Sequence, residues 1–154
     1  MIYIFGPYAA GKREYVRETF GYTEADFSTK AEDSCRVLYD AQQLASKVGN
    51  RPEELEKLAE QLCRKEVVIA TETGCGVVPI DAAEREARDA AGRLSILLAK
   101  RAQKVIRVWC GLPESLRSQL SGPDVNRGGV AEMRGKYGAE DRNLADPSWK
   151  NARK

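Results

Sequence analysis

The amino-terminal stretch reads Met1-Ile-Tyr-Ile-Phe-Gly-Pro-Tyr-Ala-Ala-Gly-Lys-Arg13. Its first five residues are mostly apolar and predict a buried strand, and the residues that follow have the GxxxxGK spacing of a phosphate-binding loop. Such a loop needs glycines where the backbone curves, a helix N-terminus that favours anions and a lysine as a point charge. A helical pattern over residues 14–20 favours this loop over an ordinary strand turn. The predicted phosphate-binding residues are Gly6, Pro7, Tyr8, Ala9, Ala10, Gly11, Lys12 and Arg13.

One position departs from the phosphate-loop pattern. Arg13 stands where a serine or threonine normally holds magnesium, and an arginine side chain offers only hydrogen-bond donors. A carboxylate is available at Asp40, the last residue of a second predicted strand over residues 35–40. Asp40 could hold magnesium directly or through water, or it could cap the helix predicted over residues 41–48. Magnesium is therefore an expected cofactor, with Asp40 as its candidate ligand.

Composition limits the classes of protein that this chain can belong to. It has 154 residues, of which 42% are hydrophobic and 31% charged, and no apolar run approaches the roughly 18 residues that span a membrane. The amino end begins a strand and does not resemble a signal peptide, so we expect a cytoplasmic protein. The four cysteines form no CxxC pair and there is no histidine, which argues against a zinc site and excludes a Ser/His/Asp triad.

Charge and polarity separate the last part of the chain from the rest. Residues 121–154 carry seven basic and five acidic residues, which accounts for the whole net charge of +2. The preceding residues 1–120 are electrically balanced, and this argues against a nucleic-acid partner. Because residues 121–154 are rich in glycine and poor in aliphatic residues, we expect a polar, flexible C-terminal extension. Met133, Tyr137 or Trp149 could alternatively dock on the domain or on a partner.

Strand and helix patterns alternate through residues 1–120, which we interpret as one nucleotide-binding domain. Further helices are predicted from Pro52 and over about residues 81–103, and further strands over residues 66–71 and 104–110. This order predicts an α/β fold, a three-layer sandwich with a mostly parallel sheet. We expect residues 21–33 to be irregular and residues 111–113 to end the last strand. In the long helix, Gly92 suggests close approach of another group, and the expected buried face is Ala83, Ala87, Ala90, Leu94, Leu97 and Leu98.

The strand over residues 66–71 leads directly into a polar turn, Glu72-Thr-Gly-Cys-Gly-Val-Val-Pro79. Ligands of open α/β sheets bind just beyond the carboxyl ends of the strands, so Glu72 lies where chemistry is expected. The alternative is that Gly74 and Gly76 only turn the chain. In the helix that follows, Glu84 with Arg88, Arg85 with Asp89, and Asp89 with Arg93 have the spacing of ion pairs.

Three segments together carry a resemblance to a known family. Thr71-Glu-Thr-Gly-Cys-Gly-Val-Val-Pro79, Arg88-Asp-Ala-Ala-Gly-Arg93 and the strand from Val105 to Gly111 resemble the adenosylcobinamide kinase / adenosylcobinamide-phosphate guanylyltransferase family of cobalamin biosynthesis. The resemblance extends over about residues 1–117 and implies a P-loop NTPase-like fold. It implies GTP or ATP as a substrate and a cobinamide-type corrinoid as a partner. It also implies phosphorylation of adenosylcobinamide and transfer of GMP from GTP.

The resemblance assigns roles to particular residues and leaves three interpretations open. Lys12 and Glu72 would be catalytic, while Arg88 and Arg93 would bind phosphate or orient the site. Guanylyl transfer in the family is expected to pass through a histidine, which this chain lacks. We therefore expect a compact, divergent transferase. The alternatives are a nucleotide-binding regulatory or scaffolding module without catalysis and a kinase with another small-molecule acceptor. Homo-oligomers are compatible with each interpretation.

Overall fold

The computed structural model describes residues 1–74, 77 and 79–118. The predicted C-terminal extension over residues 121–154 lies outside the described residues, as do Cys75, Gly76 and Val78 of the polar turn.

The described chain forms four α-helices, six β-strands and one short 3₁₀-helix (Glu24–Asp26). A six-stranded sheet has the order β2-β3-β4-β1-β5-β6, in which only the β5–β6 pair is antiparallel. The predicted α/β class with a mostly parallel sheet is therefore confirmed. The elements are β1 (Ile2–Gly6), α1 (Lys12–Phe20), β2 (Phe27–Ser28), β3 (Val37–Leu38), α2 (Ala41–Val48), α3 (Pro52–Leu62), β4 (Val67–Thr71), α4 (Ala82–Arg101), β5 (Lys104–Trp109) and β6 (Leu112–Ser118).

Apolar side chains cover both faces of the sheet, which gives the three predicted layers. On one face Tyr3, Val68 and their neighbours pack against the buried stripes of α2, α3 and α4. On the other face, side chains of β1, β4 and β5 such as Ile4 and Ile69 pack around Val16 of α1. The central strands are covered on both sides, which explains the continuous apolar run that predicted β4. Within the described part of the chain, no helix is long and apolar enough to cross a membrane.

Two strands were not expected from the sequence. Residues 21–33 were predicted to be irregular, but the two residues of β2 pair with β3. Residues 111–113 were predicted to end the last strand, but Cys110 and Gly111 form a two-residue turn with φ values of 50° and 78°. Positive φ at both positions is typical of a tight hairpin turn, so the chain reverses and continues as β6. The Cys-Gly pair lacks the Asn-Gly signature that would have predicted this turn.

The long helix α4 begins as predicted but differs in its buried face. Asp81 is its N-cap and accepts a hydrogen bond from the Ala83 backbone at 3.4 Å. Ala83 itself is exposed, Ala87 is half-buried, and full burial begins at Ala90. The expected close approach to Gly92 was wrong for the backbone, since a Cβ added there would meet no atom of the described residues within 4 Å, and approach of a ligand stays a prediction.

Candidate functional site

The predicted phosphate-binding loop lies between β1 and α1, at the carboxyl end of the central strand. Gly6 lies so close to β5 that an added Cβ would be 2.2 Å from the Val108 carbonyl oxygen. Gly11 has a left-handed conformation with φ of 83°, which turns the chain into α1. The two glycines of the motif are therefore required by the backbone path, one for space and one for conformation.

Lys12 is the first residue of α1 and is buried within this loop. Its Nζ donates hydrogen bonds to the carbonyl oxygens of Gly6, at 3.0 Å, and Pro7. Burial lowers the pKa of Lys12, and the negative charges of Asp40 and Glu72 oppose that decrease. The fold therefore brings both candidate carboxylates close to the one candidate phosphate-binding lysine, although they follow two different strands.

The amino end of α1 presents backbone donors to the same loop. No side chain caps the helix at Gly11, and its first backbone hydrogen bond runs from Tyr15 to the Gly11 carbonyl at 2.9 Å. The N–H groups of Lys12, Arg13 and Glu14 precede that bond and have no acceptor within the helix. Together with the helix dipole, they are suited to bind an anion.

A cleft of about 430 Å³ adjoins the loop on the α1 side of the sheet. Asp40 lines it in a left-handed conformation with φ of 59°. Asp40 occupies the N-cap position of α2, but its carboxylate accepts hydrogen bonds from the side chains of Gln42 and Gln43 and makes no capping bond. The cleft is lined by Tyr8, Ala9, Ala10, Gly11, Lys12, Arg13, Glu14, Tyr39, Asp40, Ile69 and Thr71.

The guanidinium group of Arg13 is held by three neighbouring side chains. It pairs with Glu24 at 2.7 Å and lies over the rings of Tyr39 and Phe27, 4.5 and 5.2 Å from their centroids. Cation–π contact and the ion pair together anchor the group beside the cleft. The unpredicted strand β2 supplies Phe27, so the sequence did not indicate this environment.

Glu72 pairs with Arg107, which the sequence predicts only as part of a strand. Arg107 of β5 lies 3.2 Å (Nε) and 3.3 Å (Nη2) from the two carboxylate oxygens of Glu72. The guanidinium carbon of Arg107 also lies 4.9 Å from the centroid of the Trp109 ring. We call these three residues the Arg107 cluster. The Glu72 backbone donates to the Gly6 carbonyl at 3.0 Å, which joins the cluster to the phosphate loop.

The two arginines of the RDxAGR segment have different surroundings. Arg88 donates a hydrogen bond to the Val77 carbonyl at 2.8 Å and pairs with Glu84 at 3.5 Å, so it braces the turn after β4. Arg93 lies exposed on α4. Of the predicted ion pairs only that of Glu84 with Arg88 forms among the described residues. Arg85 instead donates to the backbone carbonyls of Pro79 and Ile80, before α4. Neither Arg88 nor Arg93 lines the cleft beside the loop.

The unpredicted β5–β6 turn supports the phosphate loop from the other side. The Gly111 backbone donates to the Ala10 carbonyl at 2.9 Å, and a Cβ added to Gly11 would lie 3.3 Å from the Gly111 Cα. The one signal that the sequence offered for this part of the site is Arg107 itself. A charged residue between the apolar Ile106 and Val108 of a central strand has to find a partner.

The chain is an α/β protein with a P-loop-like fold, which is defined by strand β1, the glycine loop that follows it and Lys12. A family model for cobinamide kinase / cobinamide phosphate guanyltransferase matches residues 29–116. That match covers more than half of the chain, and the chain therefore belongs to this family of cobalamin biosynthesis. The predicted resemblance is confirmed over this range, whereas the loop residues 1–13 lie outside the match. A comparison with curated proteins gives no match.

Proposed function

We propose that this protein binds GTP or ATP at the loop between β1 and α1 and transfers the terminal phosphoryl group to a hydroxyl of a cobinamide-type corrinoid. The observation that carries the proposal is the buried Lys12 ammonium, which is hydrogen-bonded to Gly6 and Pro7 at the open amino end of α1. Membership of the cobinamide kinase / cobinamide phosphate guanyltransferase family supports the acceptor.

Phosphoryl transfer needs mainly positioning and charge stabilisation, which these residues can supply. The acceptor oxygen forms a bond to the γ-phosphorus while the bond from that phosphorus to the β,γ-bridging oxygen breaks. The nucleoside diphosphate leaves with the electron pair, and the hydroxyl proton passes to water. Lys12 and the first N–H groups of α1 stabilise the charge on the phosphate oxygens, while Glu72 orients the acceptor hydroxyl.

Magnesium binding in this proposal relies on residues other than position 13. Asp40 offers carboxylate oxygens within the cleft, and Thr71 lines the same cleft with a hydroxyl-bearing side chain. Oxygen ligands of this kind suit magnesium. When bound, the ion would neutralise part of the charge on the nucleotide phosphates. Arg13 contributes its backbone N–H, because its guanidinium is engaged by Glu24, Tyr39 and Phe27.

The proposal is limited to the kinase reaction. Guanylyl transfer through a GMP-bearing histidine would need a residue that this sequence does not contain. We therefore expect phosphorylated cobinamide and no covalent nucleotide on the protein.

The decisive experiment is a titration of GTP and ATP, each with magnesium, by isothermal calorimetry, followed by a product assay with adenosylcobinamide. Lys12→Ala should weaken nucleotide binding by about tenfold or more, since a hydrogen-bonded charge is lost. Lys104→Ala is the matched control, because Lys104 is also buried but begins β5 at the opposite end of the sheet. It should leave the affinity unchanged.

Two further outcomes separate the alternatives. Nucleotide binding without a phosphorylated product would favour the regulatory or scaffolding module, and no binding that depends on Lys12 would refute the site. Arg13→Ser should strengthen the magnesium dependence of nucleotide binding, because a hydroxyl ligand is restored. An unchanged dependence would show that Arg13 does not limit magnesium binding.

A further inference from the structure

The Arg107 cluster lies on the opposite face of the sheet from the cleft beside α1. Ile106 and Val108 face α1, so the alternation of the strand turns Arg107 towards the α4 side. Its side chain crosses β1, which lies between β4 and β5, to reach Glu72. The guanidinium is therefore next to the end of β1 but separate from the residues that line the cleft.

The contacts of Arg107 leave much of its hydrogen-bonding capacity unused. Its distances to Glu72, 3.2 and 3.3 Å, are longer than the about 2.7–2.9 Å of a close charged hydrogen bond. Among the described residues, its buried Nε has no hydrogen-bond partner, and Nη2 makes its one hydrogen bond. A guanidinium has five N–H donors in a fork that fits the oxygens of a phosphate.

Two neighbours suit this group to a phosphorylated organic ligand. Trp109 lies under the guanidinium and is 53% exposed, so part of its ring is open to solvent beside the charge. Tyr3 is also fully buried, and burial, with a smaller contribution from the negative charge of Glu72, raises its pKa to about 12. The positive charges of Arg107 and Lys12 both act on Glu72.

We propose that Arg107 binds a phosphate oxyanion on the α4 side of the site, and that this oxyanion belongs to the phosphorylated acceptor. Arg107 then releases Glu72 in part and keeps its contact with Trp109. The assignment to the acceptor rests on the function proposed above. The other possible source of the same chemistry is a phosphate of the nucleotide, and the experiment has to distinguish the two.

A second cluster with the same kinds of residue provides the matched control. Arg36 lies over the ring of Tyr22 and pairs with Glu66, and we call these three residues the Arg36 cluster. It lies at the amino end of the sheet, where both contacts of Arg36 with Glu66 are close, at 2.8 and 2.9 Å. Its Nε and Nη2 donors already bind Glu66 closely, and the cluster lies at the end of the sheet opposite the phosphate loop, so Arg36→Gln should not alter ligand binding.

The test is calorimetric titration of the full chain with cobinamide phosphate and, separately, with GTP or ATP. Arg107→Gln should weaken binding of cobinamide phosphate at least tenfold and leave nucleotide binding within twofold. The affinity of Arg107→Lys for cobinamide phosphate should lie between those of the unmodified protein and Arg107→Gln, because lysine keeps the positive charge and loses the forked pair of donors. If Arg107→Gln instead weakens nucleotide binding, the assignment to the acceptor is overturned; if both affinities stay within twofold, the oxyanion site is overturned.

A spectroscopic measurement covers the case in which Arg107→Gln does not fold. The chain has two tryptophans, so Trp149→Phe leaves Trp109 as the single tryptophan, whose emission can be excited selectively over that of the tyrosines. Saturation with inorganic phosphate should change its emission, since a bound anion changes the charge beside the indole ring, and an unchanged spectrum would contradict the proposal. The nucleotide site and the oxyanion site can therefore be refuted independently. Lys12→Ala tests nucleotide binding at the loop, whereas Arg107→Gln tests binding of the oxyanion.

Discussion

The Arg36 cluster and the Arg107 cluster contain the same kinds of side chain at opposite ends of one sheet. At the amino end, Arg36 makes a two-point contact with Glu66 at 2.8 and 2.9 Å, and Tyr22 donates to the same carboxylate at 2.7 Å. The Glu66 backbone also donates to the Arg36 carbonyl at 3.0 Å. This cluster joins the beginnings of β3 and β4, and its carboxylate accepts three close hydrogen bonds.

At the carboxyl end the corresponding contacts are longer and fewer. Arg107 approaches Glu72 to 3.2 Å, and the exposed ring of Trp109 has no hydroxyl to donate to the carboxylate. The difference between the two clusters therefore lies in the completeness of their hydrogen bonds. A saturated cluster acts as a cross-link, whereas an unsaturated one beside a phosphate loop is suited to bind a ligand.

The largest expected effect tests whether the backbone at the carboxyl end of the sheet can shift, in addition to the side chains there. Gly6→Ala places a Cβ 2.2 Å from the Val108 carbonyl oxygen at a residue with φ of 155°. Overpacking against a strand backbone together with this conformation should destabilise the protein by more than about 3 kcal/mol. Urea denaturation followed by circular dichroism measures the loss.

Gly21→Ala measures the cost of the backbone conformation without the cost of overpacking. Gly21 also has a positive φ, 72°, but an added Cβ would meet no atom of residues 1–74, 77 and 79–118 within 4 Å, so the substitution should cost only about 1 kcal/mol. Equal losses for the two variants would contradict the steric argument. Equal losses would also show that the backbone at the end of β1 can shift. The Arg36 and Arg107 clusters would then differ in backbone rigidity as well as in side-chain contacts.

The central part of the fold could be predicted because its signals are local. The apolar run of β4 and the stripe of α3 that contains Leu55, Leu58 and Leu62 each identify their element without reference to the rest of the chain. Strand β2 has two residues, too few for an alternating pattern, and it forms because Phe27 and Ser28 pair with β3. Tertiary pairing of this kind leaves no periodic signal in the sequence.

The sequence could predict only those residues of the candidate site that directly follow a strand. Parallel strands bring their carboxyl ends to one edge, and the approach of Asp40 and Glu72 to Lys12 follows from that geometry. The contact of Arg107 with Glu72 depends on β1 lying between β4 and β5. Strand order is not encoded in any single segment, so this pair could not be derived from the sequence.

A smaller effect is expected in the helix that connects the two ends of the sheet. Gly92 lies exposed in α4, and an added Cβ would meet nothing within 4 Å. Gly92→Ala should therefore stabilise the protein by about 0.5–1 kcal/mol through helix propensity and reduced unfolded-state entropy. Thermal unfolding measures the gain, and binding of nucleotide and of cobinamide phosphate should not change. A change in either affinity would mean that α4 couples stability to the site.

The smallest effect concerns the Arg36 cluster and depends on pH. Hydrogen bonds from Arg36 and Tyr22 lower the pKa of Glu66 to about 2 from its ordinary value of 4.5. Above pH 4.5 the carboxylate is charged in both the folded and the unfolded chain, and the contribution to stability is complete. As the pH falls from 4.5 towards 2, the unfolded chain takes up a proton first and that contribution is lost.

Glu66→Gln removes this group from the acid titration, so its free energy of unfolding should decrease less between pH 5 and pH 3 than that of the unmodified protein. Urea denaturation at the two pH values measures the difference, and the other carboxylates cancel because both proteins contain them. Nucleotide binding at pH 7 should be unaffected, since the cluster lies at the amino end of the sheet. Parallel acid dependences would show that the close contacts of Arg36 do not stabilise the charged carboxylate, and completeness of hydrogen bonding would then no longer distinguish the two clusters.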